Sequence, residues 1–377
     1  MSSITETLDR PLAAPAAARG AATLQHVSAA QWEAAIGDFD GVSQEQLFTF
    51  SHARWPNVGL EPVLISAGGE VIGGCLVMLQ RLPLGLATIA IAKWGPFLKS
   101  ESGDAIGRYG QMIDALVAEY AQNRRMMLSL LPLPALAPQN AEFDLLMARG
   151  FHRGAQMAFN DRYIVNLQLS DEAQRKSFSQ NWRRQLAKAE KAGLSFERAE
   201  PARLPEFDAL YNRMVDRKGF ADHSTYHATI RPLMAMESEA LRPELFFVSE
   251  GGEVIAGAII FKAGDRAVYL YGATQDRALP LRAGYFLHWH IIGWLKANTR
   301  ARWYDLGGTD GFAGLHQFKV GMVGDAGLVT PVPPTANYAA YRVPFLIGEA
   351  AFGARDMLQK FRAKRLQRQH QAEASDS

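Results

Sequence analysis

A chain of 377 residues is long for one hydrophobic core, so two domains are expected, and 48% apolar content suffices for ordinary globular packing. A net charge of +2 excludes the molecule as a whole from polyanion binding and leaves room only for a local basic patch. The single cysteine, Cys75, excludes an intramolecular disulfide and fits a reducing cytoplasm.

Residues 1–23 are rich in Ala and Pro and hold no continuous apolar stretch; they read as a disordered tail, not a secretory signal. No run of about 18 apolar residues follows, so no spanning helix is predicted. Ser28 opens a capped helix. Strands are predicted over 61–67, 71–80 and 86–93. A helix over 105–122 turns Ile106, Met112, Ile113, Leu116, Val117 and Tyr120 to the core. A strand at 126–131, a helix at 142–149 stopped by Gly150 and a strand at 163–169 complete this set. Helices over 204–217 and 224–237 then precede strands at 244–250, 253–262 and 266–273. A helix over 282–298 and a short strand at 303–306 follow. Residues 343–368 start apolar (Phe345, Phe352) and end basic, as an amphipathic helix docked on the body or on a membrane surface would. Residues 369–377 read as a polar, disordered tail.

The order of elements is said twice, and so is one peptide. Residues 66–74 read S-A-G-G-E-V-I-G-G and residues 249–257 read S-E-G-G-E-V-I-A-G, matching at seven of nine positions with an offset of 183. Apolar runs flank both copies. Strand, Gly-Gly turn, strand is a β-hairpin signature, and its repetition in the same frame indicates a duplicated domain. The division is 24–170 for the first domain, 171–200 for a connecting basic helix, and 201–342 for the second. In the connector, Trp182, Leu186 and Ala189 fall on one helical face, with Arg184, Lys188 and Lys191 on another.

The runs N-W-R-R-Q-L-A-K-A-E-K-A-G (181–193), R-K-G-F (217–220) with Tyr226, Y-L-Y-G-A (269–273), Y-D-L-G-G (304–308) and G-L-H-Q-F-K (314–319) resemble, in order and spacing, the FemABX family of peptidoglycan-bridge aminoacyltransferases. The likeness covers about 165 to 325. It implies an α/β fold of two tandem GNAT-like domains, each a mixed twisted sheet flanked by helices. It also implies transfer of an activated acyl or aminoacyl group to a primary amine of a peptidoglycan precursor or other cell-envelope substrate. The alternative is an acyl-CoA-dependent GNAT N-acyltransferase. Family members that act on tRNA carry a long two-helix arm, whereas 170–200 has room for one short helix. The donor is therefore left open between aminoacyl-tRNA and acyl-CoA as co-substrate, with no bound cofactor. The compartment expected is the cytoplasm, at the inner face of the membrane if the C-terminal helix meets lipid. Charged tRNA is the nucleic-acid partner under consideration; DNA is not expected. A scaffold that kept the fold and lost the chemistry is the non-enzymatic reading.

Amine attack on an activated carbonyl needs a neutral amine, a stabilised oxyanion and alignment of two substrates. No G-x-S-x-G elbow occurs and Cys75 lies in an apolar strand, so direct transfer without a covalent intermediate is expected. Lys319, the F-K lysine of the resemblance, is the candidate cation for the oxyanion. Asp305, ending a strand before Gly307 and Gly308, is the second catalytic candidate. Arg217, Tyr226, Tyr271, Arg184 and Lys188 are candidates for holding the substrate, with Tyr269 and Tyr271 expected on one side of a strand. Gly307, Gly308, Arg282 and Gly284 are candidates for the donor, by close backbone approach at a helix N-terminus. His223 and His227 are spaced i, i+4, but without a third ligand no metal is expected.

Overall fold

The structure is a computed structural model that describes residues 22–157, 159–218, 224–354 and 357. In chain order, β1 (Thr23–His26) leads to α1 (Ala29–Ile36) and α2 (Phe48–Arg54). Next come β2 (Gly59–Ala67), β3 (Glu70–Arg81), β4 (Thr88–Lys93) and β5 (Phe97–Leu98). Then follow α3 (Ala105–Leu116), which continues as a π-helical segment, β6 (Met127–Leu131), α4 (Ala141–Ala148) and β7 (His152–Arg153). The middle of the chain forms β8 (Asp161–Asn166), α5 (Asp171–Ser177), α6 (Gln180–Ala189) and β9 (Leu194–Ala199). The second set is α7 (Leu204–Lys218), α8 (Ser224–Met234), β10 (Glu244–Glu250), β11 (Glu253–Phe261), β12 (Arg266–Thr274), α9 (Ala283–Asn298) and β13 (Trp303–Asp305). It closes with α10 (Ala313–Val323), β14 (Leu328–Pro331), β15 (Ala336–Tyr338) and helical residues 342–354.

The strands form two sheets with orders β1-β2-β3-β4-β6-β15-β7 and β9-β10-β11-β12-β13-β8-β14, position for position the same plan; β5 pairs with β3 off the first path. The duplication extends to fine detail. Gly68 and Gly69 have φ of 60° and 86°, and Gly251 and Gly252 have 58° and 86°. Two consecutive residues at positive φ make the tight hairpin turn whose twist matches the flanking strands, and glycine adopts it without steric cost. Each hairpin also carries a register shift at its serine, between Ile65 and Ser66 and between Val248 and Ser249.

The sixth strand of each sheet comes from the other half. β8, expected in the first domain, pairs with β13 and β14; β15, at the end of the second, pairs with β6 and β7. The crossing segments bond to each other, Gly154 N to Thr335 O at 2.7 Å and Thr335 N to Ala155 O at 2.9 Å. This corrects the linear boundaries 24–170 and 201–342. Tyr163, Val165 and Leu167 are buried in the second core, and Ala336, Tyr338 and Ala340 in the first. The segment 171–200 is corrected likewise. It is no linker, because Trp182, Leu186 and Ala189 pack into the second core, leaving Arg184 and Lys188 in solvent.

Met112, Ile113, Leu116, Val117 and Tyr120 are buried as expected, whereas Ile106, in the first turn of α3, is 40% exposed. The halves share a continuous apolar layer in which Trp32, Phe39, Phe50 and Phe97 meet Leu233, Phe261 and Val268. Arg300 bonds Asp40 at 2.6 Å across the same seam. Phe345 and Phe352 of the last helical stretch pack with Ile89 and Met127 of the first half and with Ala339, which follows β15. Apart from residue 357, the basic remainder of 343–368 and the tail 369–377 lie outside the described residues, as do nearly all of 1–23 and the Gly219-Phe220 pair.

Candidate active site

The two sheets differ where the parallel strands meet. β4 pairs with β6 at five positions, whereas β12 pairs with β13 at three, from Arg266 to Val268, and then runs on unpaired with it to Thr274. Beyond Val268 and Asp305, β12 therefore runs on with no β13 residue beside it, whereas β4 and β6 stay paired to their shared end. A register shift lies just there. Ile260 pairs with Tyr269 and Ile259 with Tyr271, so Leu270 is the extra residue of a β-bulge. The bulge reverses the expected alternation. Tyr269 joins the core under α9, while Tyr271 joins Tyr211 and Tyr226 on the opposite face.

Lys319 projects from α10 to the end of β13. It is 5% exposed, and its ammonium donates to the carbonyls of Leu306 and Gly308 at 2.5 Å each. Two of three N–H bonds are committed, and one remains. Burial, and then the Arg162 guanidinium, push the Lys319 ammonium down to about 8, against the pull of Asp305 and Asp310. Beneath it lies His288, buried, sharing a 3.1 Å bond between its Nδ1 and the Tyr304 hydroxyl. Burial and the Lys319 charge hold His288 down at about 3, so the ring is neutral.

Asp305 is 3% exposed and fully engaged. Arg162 on β8 donates Nε to both carboxylate oxygens at 3.1 Å and a terminal nitrogen to Oδ2 at 2.9 Å, and the Gly307 amide donates to Oδ1 at 2.9 Å. The carboxylate thus fixes the 305–308 turn, in which Gly307 has φ of 76°; accepting a substrate proton would require breaking that pair. Arg162 also stacks over Trp94 at 5.7 Å. A cleft between the halves is lined by Glu45 and Trp94 from the first and by Arg162, Arg266 and Asp305 from the second sheet. Sequence reasoning missed Arg162. The available signal was an arginine opening an apolar strand, D-R-Y-I-V-N, but that strand was assigned to the wrong sheet.

The other candidates lie in separate places. Arg217 bonds the Thr274 carbonyl at 3.1 Å and pairs with Asp276, at the C-terminal end of β12. Tyr226 is buried, donates to Asp208 and stacks on Tyr211 at 4.0 Å; burial and that bond hold its hydroxyl far above the ordinary range. Tyr271 shares a 3.1 Å bond with Thr229, and burial raises it to about 12. Tyr226 and Tyr271 are thus neighbours, on the face away from Tyr269. Arg282, exposed and at φ 60°, precedes α9. Gly284, in that helix's first turn, has open space where a side chain would stand, so packing does not demand a glycine there. Arg184 and Lys188 stay on the outer face of α6, Arg184 bonded to Asn181 at 2.8 Å. Lys319, Asp305, Gly307 and Gly308 form one cluster, which Arg217 does not touch. Cys75 is buried, with its thiol pushed up by burial, as a structural rather than a nucleophilic residue would be. His223 lies outside the described residues; among the described residues no three His, Cys, Asp or Glu side chains group as metal ligands.

Residues 176–320 match the family model described as an acetyltransferase (GNAT) domain. The fold is similar to the crystal structure of FemX, with a TM-score of 0.68 and 16% identity over 85% of this chain and 98% of that one. It is also similar to a conserved protein of unknown function from Bacteroides thetaiotaomicron (TM-score 0.57, 11% identity, 83% and 98% covered). A third likeness is to L-PGS from Bacillus licheniformis (TM-score 0.52, 12% identity, 84% and 93% covered). No curated protein sequence matches the chain. Fold and family match define the class as an acyltransferase built from two GNAT-like halves. Within that class the architecture is FemABX-like.

Proposed function

We propose that the protein transfers an activated acyl or aminoacyl group to a primary amine of a cell-envelope substrate, foremost a peptidoglycan precursor, by direct attack in a ternary complex. The observation that carries this reading is the Lys319 ammonium, buried at the end of β13, where β12 runs on alone, with one N–H uncommitted. A preorganised cation in a partly dry site stabilises the oxyanion that forms when an amine adds to a carbonyl. The Leu306 and Gly308 carbonyls hold it in place, and the Arg162–Asp305 pair fixes the turn that presents them. In this reading the proton lost by the attacking amine leaves through solvent or the leaving group, because Asp305 is engaged.

The acyl-CoA reading has its own support. Arg282 and the open space at Gly284 stand at the N-terminus of α9, which no side chain caps and where the helix dipole suits a diphosphate. No helix among the described residues is long and apolar enough to cross a membrane. We place the activity in the cytoplasm, near the inner membrane face if the substrate is lipid-linked.

The test is a mass-spectrometric transfer screen with acyl-CoAs, charged tRNAs and UDP-linked muropeptides, comparing the wild type with Lys319→Met. Product formation that falls about 100-fold or more in the variant supports the assignment. Unchanged turnover removes Lys319 from the site. Stabilisation by coenzyme A with no response to muropeptides selects the acyl-CoA reading.

A further inference from the structure

The last helical stretch, residues 342–354, is fastened to the body by one face. Phe345 and Phe352 pack with Ile89 and Met127, Phe345 lies against the His152 ring at 4.8 Å, and a side chain at Gly348 would collide with Met127. Glu349 accepts from the buried Asn337 amide at 2.6 Å. These contacts fix the roll of the helix. At 3.6 residues per turn, Val343, Leu346 and Ala350 then share the face turned away from the sheet. Val343 is 41% exposed and Leu346 60%, and Met357, just beyond, is 62% exposed. Ala350, Gly353 and Ala354 are exposed with them. Arg342, in the first turn, is the one polar residue among the exposed residues of the stretch. A helix on the surface of a soluble body ordinarily turns polar residues outward, and one that is apolar on both faces is covered on both.

The charge of the chain indicates what covers it. Residues 342–368 hold seven Lys or Arg and two acidic residues, a net of +5, while the other 350 residues sum to −3. Of the two acids, Glu349 is bonded inward. The exposed Arg125 stacks on Tyr341 at 4.6 Å, so two guanidiniums, those of Arg125 and Arg342, stand at the start of the stretch. The other six basic residues follow it in sequence. An apolar face with basic residues on both sides is the pattern of a helix lying in the interface of an anionic bilayer, where acyl chains take the apolar residues and lipid phosphates attract the cations. A second copy of this chain suits the face less well, because it would bring two stretches of net +5 together. At 1.5 Å per residue the stretch is about 20 Å long, too short to cross a hydrocarbon core of roughly 30 Å, so it would lie in the surface.

We propose that Val343, Leu346 and Ala350 dock the protein on an anionic lipid surface, with the basic charge of 342–368 supplying the attraction to its headgroups. The inner face of the helix holds the body, and the outer face holds the lipid. The proposal does not rest on the transfer reading, because its test reads vesicle binding alone.

The test is co-sedimentation of the full chain with vesicles of phosphatidylcholine alone and of phosphatidylcholine mixed with phosphatidylglycerol. Binding to the mixed vesicles is expected to be at least about tenfold tighter and to weaken as salt is raised. Leu346→Gln leaves the net charge unchanged and is expected to weaken that binding about tenfold, as loss of one buried leucine does. Leu346→Glu is expected to weaken it further. Both variants should melt as the wild type does, since the side chain is largely exposed; if Leu346→Gln fails to fold, Val343→Gln takes its place. No sedimentation with either vesicle, equal affinity for the two, or full affinity in the glutamine variant overturns the proposal. A dimer that Leu346→Glu dissolves, in a chain that ignores vesicles, overturns it as well and assigns the face to a second copy.

Discussion

Lys319→Met has a consequence that needs no substrate. In the folded chain the lysine is pushed from its ordinary 10.5 down to about 8. At about 1.4 kcal/mol per tenfold, holding the charged form in the fold costs about 3 kcal/mol. Between pH 8 and pH 10.5 the unfolded chain therefore binds more protons at this position than the native one, and wild-type stability rises with pH through that window. About 2 kcal/mol is recovered between pH 8 and pH 10 alone. The methionine variant has nothing to titrate. At pH 7 it leaves the Leu306 and Gly308 carbonyls without their donor, at about 1–3 kcal/mol each, and is relieved of the buried charge. The two partly offset, so its stability at pH 7 should lie within about 3 kcal/mol of wild type. Urea unfolding of both proteins at pH 7, 8, 9 and 10 measures the difference. The wild-type advantage should grow by about 2 kcal/mol from pH 8 to pH 10. Parallel pH profiles would refute the reasoning, because an ammonium free in solvent behaves that way.

Asp305→Asn should destabilise by about 3 kcal/mol in urea unfolding, since it leaves the Arg162 guanidinium without its carboxylate; a loss under about 1 kcal/mol would show that the pair is solvated. Gly252→Ala should cost about 1–2 kcal/mol for forcing φ of 86° on a Cβ, with Gly252→Asn milder; equal stability by thermal melting would deny the turn geometry. Arg217→Ala should cost under about 1 kcal/mol, because its partner Asp276 is largely exposed. If Arg217 grips an anionic substrate, the same variant raises KM at unchanged kcat; an unaltered KM removes it from binding.

Much of the fold was legible because it rests on local signals. The Gly-Gly turns and apolar runs specify both hairpins, and the Trp182, Leu186, Ala189 stripe specifies the buried face of α6. The pairing of β8 was not legible. Its apolar residues say only that it lies in a sheet, and sequence order gives the nearer sheet precedence. Arg162 was missed as a consequence, since its meaning depends on Asp305, 143 residues away. The opposite facing of Tyr269 and Tyr271 was hidden too, because one bulged residue in Y-L-Y inverts an alternation that the letters leave intact. The F-K and Y-D-L-G-G motifs pointed to Lys319, Gly307 and Gly308 singly; that the lysine bonds the turn holding the two glycines is seen only in the structure. The partnership of Asp305 with an arginine, which turns a candidate base into an anchor, is visible only in three dimensions.

The reciprocal lending of β8 and β15 sets a timetable for biosynthesis. A ribosome delivers β15 only after some 330 residues have emerged, so until then β6 presents a bare, apolar edge that a neighbouring nascent chain could pair with. The earlier-made half must wait for the later one, and protease protection during translation should come to both at once, not to the N-terminal part first. Cutting the gene between the halves would accordingly yield two fragments that are soluble only when produced together.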